Sequence, residues 1–259
     1  MKQVQDAYIV AATRTPIGRS HKGFLRNYRP DDLLATTIRA VMAQAPGLDP
    51  AAVEDVIAGC AIPEAQQGLN VARVANVLAG YPKSVGGITV NRFCASGLSA
   101  VAMAADRIRV GEAEVMIAAG VESMSMVPMM GNSPSLSPSI FAPDSDVGIA
   151  YGMGLTAEKV AQQWKVSREA QDAFAAASQQ KATAAIEAGR FVDEITPILI
   201  PQRKGDPTDR QHREVQLCHT YLHGPVISTK AQPSRPLYAW LQTGSATRVR
   251  PAKAPAPSM

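Results

Sequence analysis

An α/β fold, with a mainly parallel sheet covered by helices, is what this sequence predicts, and three observations predict it. Short apolar runs alternate with segments of helical period from Asp6 to Gly120. Gly and Pro punctuate the joints between them. Residues 114–120, EVMIAAG, are apolar almost throughout, as a strand covered on both faces requires. The order β-α-β-α-β-α-β implies parallel neighbours joined by crossover helices.

Each element has its own signal. Residues 6–12 form a short apolar run, broken into a loop at Arg14-Thr15-Pro16-Ile17-Gly18. Asp31 or Asp32 is placed to cap a helix running to about Ala45, with Leu33, Leu34, Ile38, Val41 and Met42 on one side. Pro46-Gly47 ends it. Residues 53–60 read as the second strand, with Cys60 packed in the core. Residues 68–80 read as a helix with Val71, Val74, Val77 and Leu78 inward, and residues 85–90 as a third strand. From Leu98 to Val110 apolar groups lie nearly all round a helix, the pattern of a buried one.

The third strand ends at Val90 and a helix begins within a few residues, so Cys94 stands at a helix N-terminus. The first amides of a helix have no intrahelical partners and carry the positive end of its dipole, which favours a thiolate. Ala95, Ser96 and Gly97 are small enough for a substrate carbonyl to approach the backbone amides. That chemistry suits a nucleophilic Cys with half an oxyanion site. A buried structural Cys would carry the same local features. Asn91 is expected to hold the turn by side-chain hydrogen bonds.

From Ser123 to about Gly152 the chain reads as a long loop, with Met124, Met126, Met129 and Met130 among several Pro and Gly. Met-rich surfaces suit flexible acyl chains, and Met also fills gaps in ordinary cores. Thr156 is placed to cap a helix reaching Trp164, and Ser167 another reaching about Ala188. Residues 205–259 show no sustained period and are expected to be disordered.

Bulk properties exclude several classes. The 259 residues carry a net charge of +4 and no long basic block, and aromatics are only 5%, so no interleaved platform for single-stranded nucleic acid is present. Cys60, Cys94 and Cys218 make no disulfide framework and no CxxC metal site. His212, Cys218, His219 and His223 cluster in the irregular tail, and no metal site is assigned to them. No apolar run reaches membrane-spanning length, and the first twelve residues are too short in apolar content for a signal peptide. A cytoplasmic protein is the expectation.

Several blocks together resemble the thiolase family: ATRTPIG at residues 12–18, NRFCASGLSAV followed by GEAEVMIAAGVESMSM at residues 91–126, and residues 152–195. The similarity covers about residues 6–204. It implies a thiolase-like fold of which this is the N-terminal half, with a mainly parallel mixed sheet over residues 1–122, a loop-domain segment at residues 123–204 and an atypical tail at residues 205–259. It also implies an acyl-CoA C-acyltransferase in which Cys94 takes the acyl group. The reaction would be thiolysis of a 3-oxoacyl-CoA or condensation of two acyl-CoAs, with CoA and acyl-CoA as substrates and no other cofactor. Met153 aligns with a family Met that touches the CoA pantetheine, and Gly152 stands where several relatives have a His. Thiolases also use a His, a second Cys and an Asn-held water from their second half. This sequence shows no NEAF-like, GHP-like or CxGxG segment. The expectation is therefore impaired acyl transfer, and the alternative is an inactive truncated remnant or a dimerisation partner of an intact thiolase. A homodimer also fits the resemblance.

Overall fold

The computed structural model describes residues 4–143 and 147–200, together with the backbone of three strands at residues 208–209, 226–230 and 247–248. The chain divides into two compact units, residues 1–131 with 194–259, and residues 132–193.

The first unit is built on a mixed sheet. Its strands are β1 (Ala7–Ala12), β2 (Asp55–Gly59), β3 (Gly86–Val90), β4 (Val115–Gly120), β7 (Val226–Lys230) and β8 (Thr247–Arg248). They lie in the order β3-β2-β4-β7-β1-β8. β2 runs parallel to both β3 and β4, and β7 is antiparallel to both β4 and β1, so β1 to β4 all point the same way. Between them come α1 (Pro30–Ala43), α2 (Val71–Ala79) and α3 (Ser96–Arg109). A separate two-stranded ladder pairs β5 (Leu199–Ile200) with β6 (Thr208–Asp209).

β4 is buried at every residue, and its alternation divides the core. Val115, Ile117 and Ala119 join Val56 and Ala58 of β2 against Leu34, Ile38 and Val41 of α1 and Val71, Ala72 and Ala75 of α2. Met116 and Ala118 join Ile57 of β2 against Ala100, Ala104, Ala105 and Ile108 of α3. Two helices cover one face and one helix the other. Each Leu, Ile or Val removed from water in this way contributes about 1.5–3 kcal/mol.

Three helices depart from the sequence reading. α1 is capped by Arg29 with Pro30 following, and Asp31 and Asp32 fall inside the first turn, where the dipole favours them. α2 turns its small residues inward: Ala72 and Ala75 are buried, and Val74, Val77 and Leu78 face outward. Buried Asn76 accounts for that rotation, because its side-chain amide donates to Gly86 O at 2.6 Å. Asn70 caps the helix by accepting from the Arg73 amide. α3 is apolar all round but buries one face only, leaving Leu98 70% and Met103 40% exposed.

The second unit holds α4 (Met153–Trp164) and α5 (Arg168–Glu187). Gly152, not Thr156, caps α4; Thr156 lies within the first turn and its hydroxyl donates back to Gly152 O. Ser167 caps α5 as its sequence position predicts, accepting from the Ala170 amide at 3.2 Å. The irregular tail supplies β6, β7 and β8, of which β7 inserts between β4 and β1. Sequence period could not show these strands, because they are two to five residues long.

The inward turn of α2 separates two substitutions. Ile38→Ala, fully buried in α1, is expected to cost about 2–5 kcal/mol. Val77→Ala, on the outer side of α2, should stay within about 0.5 kcal/mol. Urea unfolding of both variants checks this, and a comparable loss at Val77 would return that side chain to the core.

Candidate active site

Parallel strands bring their C-terminal ends to one edge, and in this sheet Gly59 pairs with Val90 on one side and Gly120 on the other. Crevices at that edge are where open α/β sheets place their ligands. β3 leaves it through Asn91, Arg92, Phe93, Cys94 and Ala95 before α3 begins at Ser96.

That connection is a tight, strained turn. Phe93 has φ 45°, a left-handed conformation that a bulky residue adopts at a cost of about 1–3 kcal/mol. Hydrogen bonds across the turn hold it there. The Phe93 amide donates to Asn91 Oδ1 at 2.8 Å, as expected of Asn91. The Arg92 amide donates to Ser96 Oγ at 2.8 Å, while the Ser96 hydroxyl donates to Phe93 O at 2.6 Å. The Ala95 amide donates to Arg92 O at 3.0 Å. The hydroxyl of buried Ser96 therefore staples both sides of the residue before Cys94.

The result is an exposed thiol one residue before the N-cap of α3. Cys60, the other described cysteine, is buried in the core, where burial beside Glu122 pushes its thiol up to about 12. Two thiols of one chain are thus given opposite environments, one accessible and one inert.

Gly59 sets how closely the turn lies on the sheet. A Cβ built there would stand 2.5 Å from the Ser96 carbonyl carbon and 2.6 Å from the Gly97 nitrogen. Only glycine allows the first turn of α3 to rest on the end of β2.

Behind this edge lies a polar network that the sequence did not single out. The Glu122 carboxylate accepts from the Ala61 amide at 2.7 Å and from the side-chain amide of Gln67. Gln67, fully buried, also donates to Ile62 O at 2.8 Å and accepts from the Ser123 amide at 2.9 Å. Burial raises the Glu122 carboxyl above its ordinary value of 4.5, although the Ala61, Gln67 and Ile62 hydrogen bonds oppose the shift. The available signal was a lone carboxylate directly after an apolar strand run, GVES.

Met153 opens α4 in the second unit and is 64% exposed. Cys94 belongs to the first unit. A Cβ at Gly152 would meet nothing within 4 Å. Among the described residues no group of three or more His, Cys, Asp or Glu could hold a metal ion, and no helix is long and apolar enough to cross a membrane. His212, Cys218, His219 and His223 lie outside the described residues.

A thiol displayed on a strained strand-to-helix turn, at the C-terminal edge of a mixed α/β sheet, stands open to solvent at the edge where such sheets place their ligands. The family model "Thiolase, N-terminal domain" matches residues 7–220, and the chain belongs to that family. The match extends past residue 205, where sequence reading ended the resemblance. Over 199 residues the chain is 47% identical to a 3-ketoacyl-CoA thiolase of Bacillus subtilis, covering 76% of this chain and 50% of that protein. It is 46% identical to an acetyl-CoA acetyltransferase of Pseudomonas aeruginosa over 224 residues, 81% of this chain and 56% of that protein. Likeness to the 3-oxoadipyl-CoA/3-oxo-5,6-dehydrosuberyl-CoA thiolase of Escherichia coli is 41% over 225 residues, covering 82% and 56% respectively. The chain spans about half the length of these curated relatives.

The raised Glu122 carboxyl has a signed effect on stability. The folded state holds that proton more tightly than the unfolded state, so ionising the buried group opposes folding. The penalty is absent below the unfolded value of 4.5 and complete above the raised folded value. Glu122→Gln is therefore expected to remove a fall in stability with rising pH across that window. Urea midpoints of both proteins from pH 4 to pH 7 check it; identical pH slopes would refute the assignment.

Proposed function

We propose that this chain carries the acyl-accepting half of a thiolase-type acyl-CoA C-acyltransferase. The observation that carries the reading is the exposed Cys94 on its stapled turn before α3, in a chain of the thiolase family. In the transfer step Cys94 Sγ, having lost its proton, attacks the thioester carbonyl of an acyl-CoA. A new Cys94 thioester forms, the carbon–sulfur bond to CoA breaks, and CoA leaves as its thiol with the proton that Cys94 gave up. With a 3-oxoacyl-CoA, attack falls on the 3-oxo carbonyl, the bond between C2 and C3 breaks, and acetyl-CoA leaves protonated at C2. Transfer of the Cys94 acyl group to CoA completes thiolysis, and the reverse order of steps is condensation. Small residues after Cys94 leave room for the acyl group beside the turn, and Met153 is the residue proposed to meet the pantetheine. CoA and acyl-CoA serve as substrates, and no further cofactor is required by these steps.

Incubation with acetyl-CoA or acetoacetyl-CoA, followed by intact-protein mass measurement, tests this directly. A rapid acetyl adduct is expected on the full chain and not on Cys94→Ala. Its absence from protein shown to be folded would remove the reading.

The outer face of α3 favours a second reading. Leu98 and Met103 are exposed on it, and exposed apolar surface marks association. On this reading the chain works as a partner, in a homodimer or against a longer thiolase. Light scattering on the purified chain is expected to show a species above 27.4 kDa, and Leu98→Glu with Met103→Glu to return it to that mass. A wild-type monomer would exclude self-association.

A further inference from the structure

Glu122 sits on the sheet edge without touching Cys94, yet two short paths connect them. Its carboxylate fixes the Ala61 amide, and Ala61 continues the segment that begins at Gly59. Within that segment the Cys60 amide donates to Val90 O at 3.0 Å, and Val90 is the last residue before the Cys94 turn. Gly59 itself lies against Ser96, the residue that staples the turn from the other side, and its carbonyl accepts from the Val121 amide at 3.0 Å. Residues 59–61 are thus tied to both ends of the turn and anchored at their own far end by Glu122. Gln67 completes the anchor by joining the carboxylate to Ile62 O and to the Ser123 amide.

We propose that Glu122, acting with Gln67 through residues 59–61, is a positioning residue that sets the register of the Cys94 turn on the sheet. A partly buried carboxylate is a costly way to join two strand ends, since neutral groups could satisfy the same two amides at lower desolvation cost. What the carboxylate supplies is an acceptor-only group that receives two donors at once and fixes which way Gln67 points. An amide in its place would face Gln67 with a second N–H, or force Gln67 to turn its own N–H towards the Ser123 amide.

This inference rests on Cys94 being the acyl-accepting nucleophile, but its test does not need acyl transfer. The rate of Cys94 alkylation by iodoacetamide on the full chain, read by site-resolved mass spectrometry, reports the thiol alone. Glu122→Gln is expected to slow it about two- to fivefold, the size of losing one helix-terminus charge interaction. Ile38→Val, a core change remote from the turn, serves as the stability control and should leave the rate unaltered. Should Glu122→Gln not fold, Glu122→Asp carries the same test, because the shortened carboxylate cannot reach both donors. A wild-type rate in Glu122→Gln or Glu122→Asp would overturn the proposal, as would equal slowing in Ile38→Val. A normal alkylation pattern with no acetyl adduct would leave positioning intact and count against the acyltransferase reading instead.

Discussion

The close approach of α3 to the end of β2, at a position where no side chain stands, is the constraint on which the rest of the site depends. Because Gly59 has no Cβ, the first turn of α3 rests on the strand, and the preceding turn must be short and strained to get there. Ser96 is drawn into that contact and is thereby placed to hold both Arg92 and Phe93. Cys94, two residues earlier in the same turn, is left exposed. Strain at Phe93, the hydroxyl staple and the missing side chain form one device rather than three.

With the exposed Cys94 beyond the ends of the parallel strands, the buried half of the sheet is bland. β4 carries only Val, Met, Ile, Ala and Gly, and its two faces serve two different helical layers. Nothing in it can titrate or ligate. Polar chemistry starts just after Gly120, with Glu122 and Ser123, at the same edge of the sheet from which the Cys94 turn leaves β3, with β2 between the two strands.

Much of this was legible from the chain. β1 to β4 and α1 to α3 were visible because each is long enough for its period to repeat, and Cys94 because it falls between two strong signals. The turn of α2 was hidden: a Val-rich stripe looks like a core face, yet one buried Asn with a backbone partner rotates the helix onto its alanines. Strands β7 and β8 were invisible, since residues with no helical or alternating pattern can still pair through their backbones when the sheet offers unpaired edges. The Glu122–Gln67 link joins residues 55 apart, and no local pattern encodes such a partnership. The family resemblance pointed to a class of chemistry; it said nothing of how the Cys94 turn is held.

The position of β7 has a bearing on how the molecule comes to exist. β1 precedes the other described strands, yet its described partners lie far from it in sequence; Ala7 meets Lys230, and Ala12 meets Val226. Closing a loop of that length is entropically expensive, though the cost grows only logarithmically with its size. During synthesis β2, β3 and β4 can assemble with their helices as soon as they emerge, whereas one side of β4 and all of β1 await a strand that leaves the ribosome far later. For that interval an apolar strand edge stands open, so the nascent chain passes through a phase in which chaperone protection matters more than it does for the finished sheet.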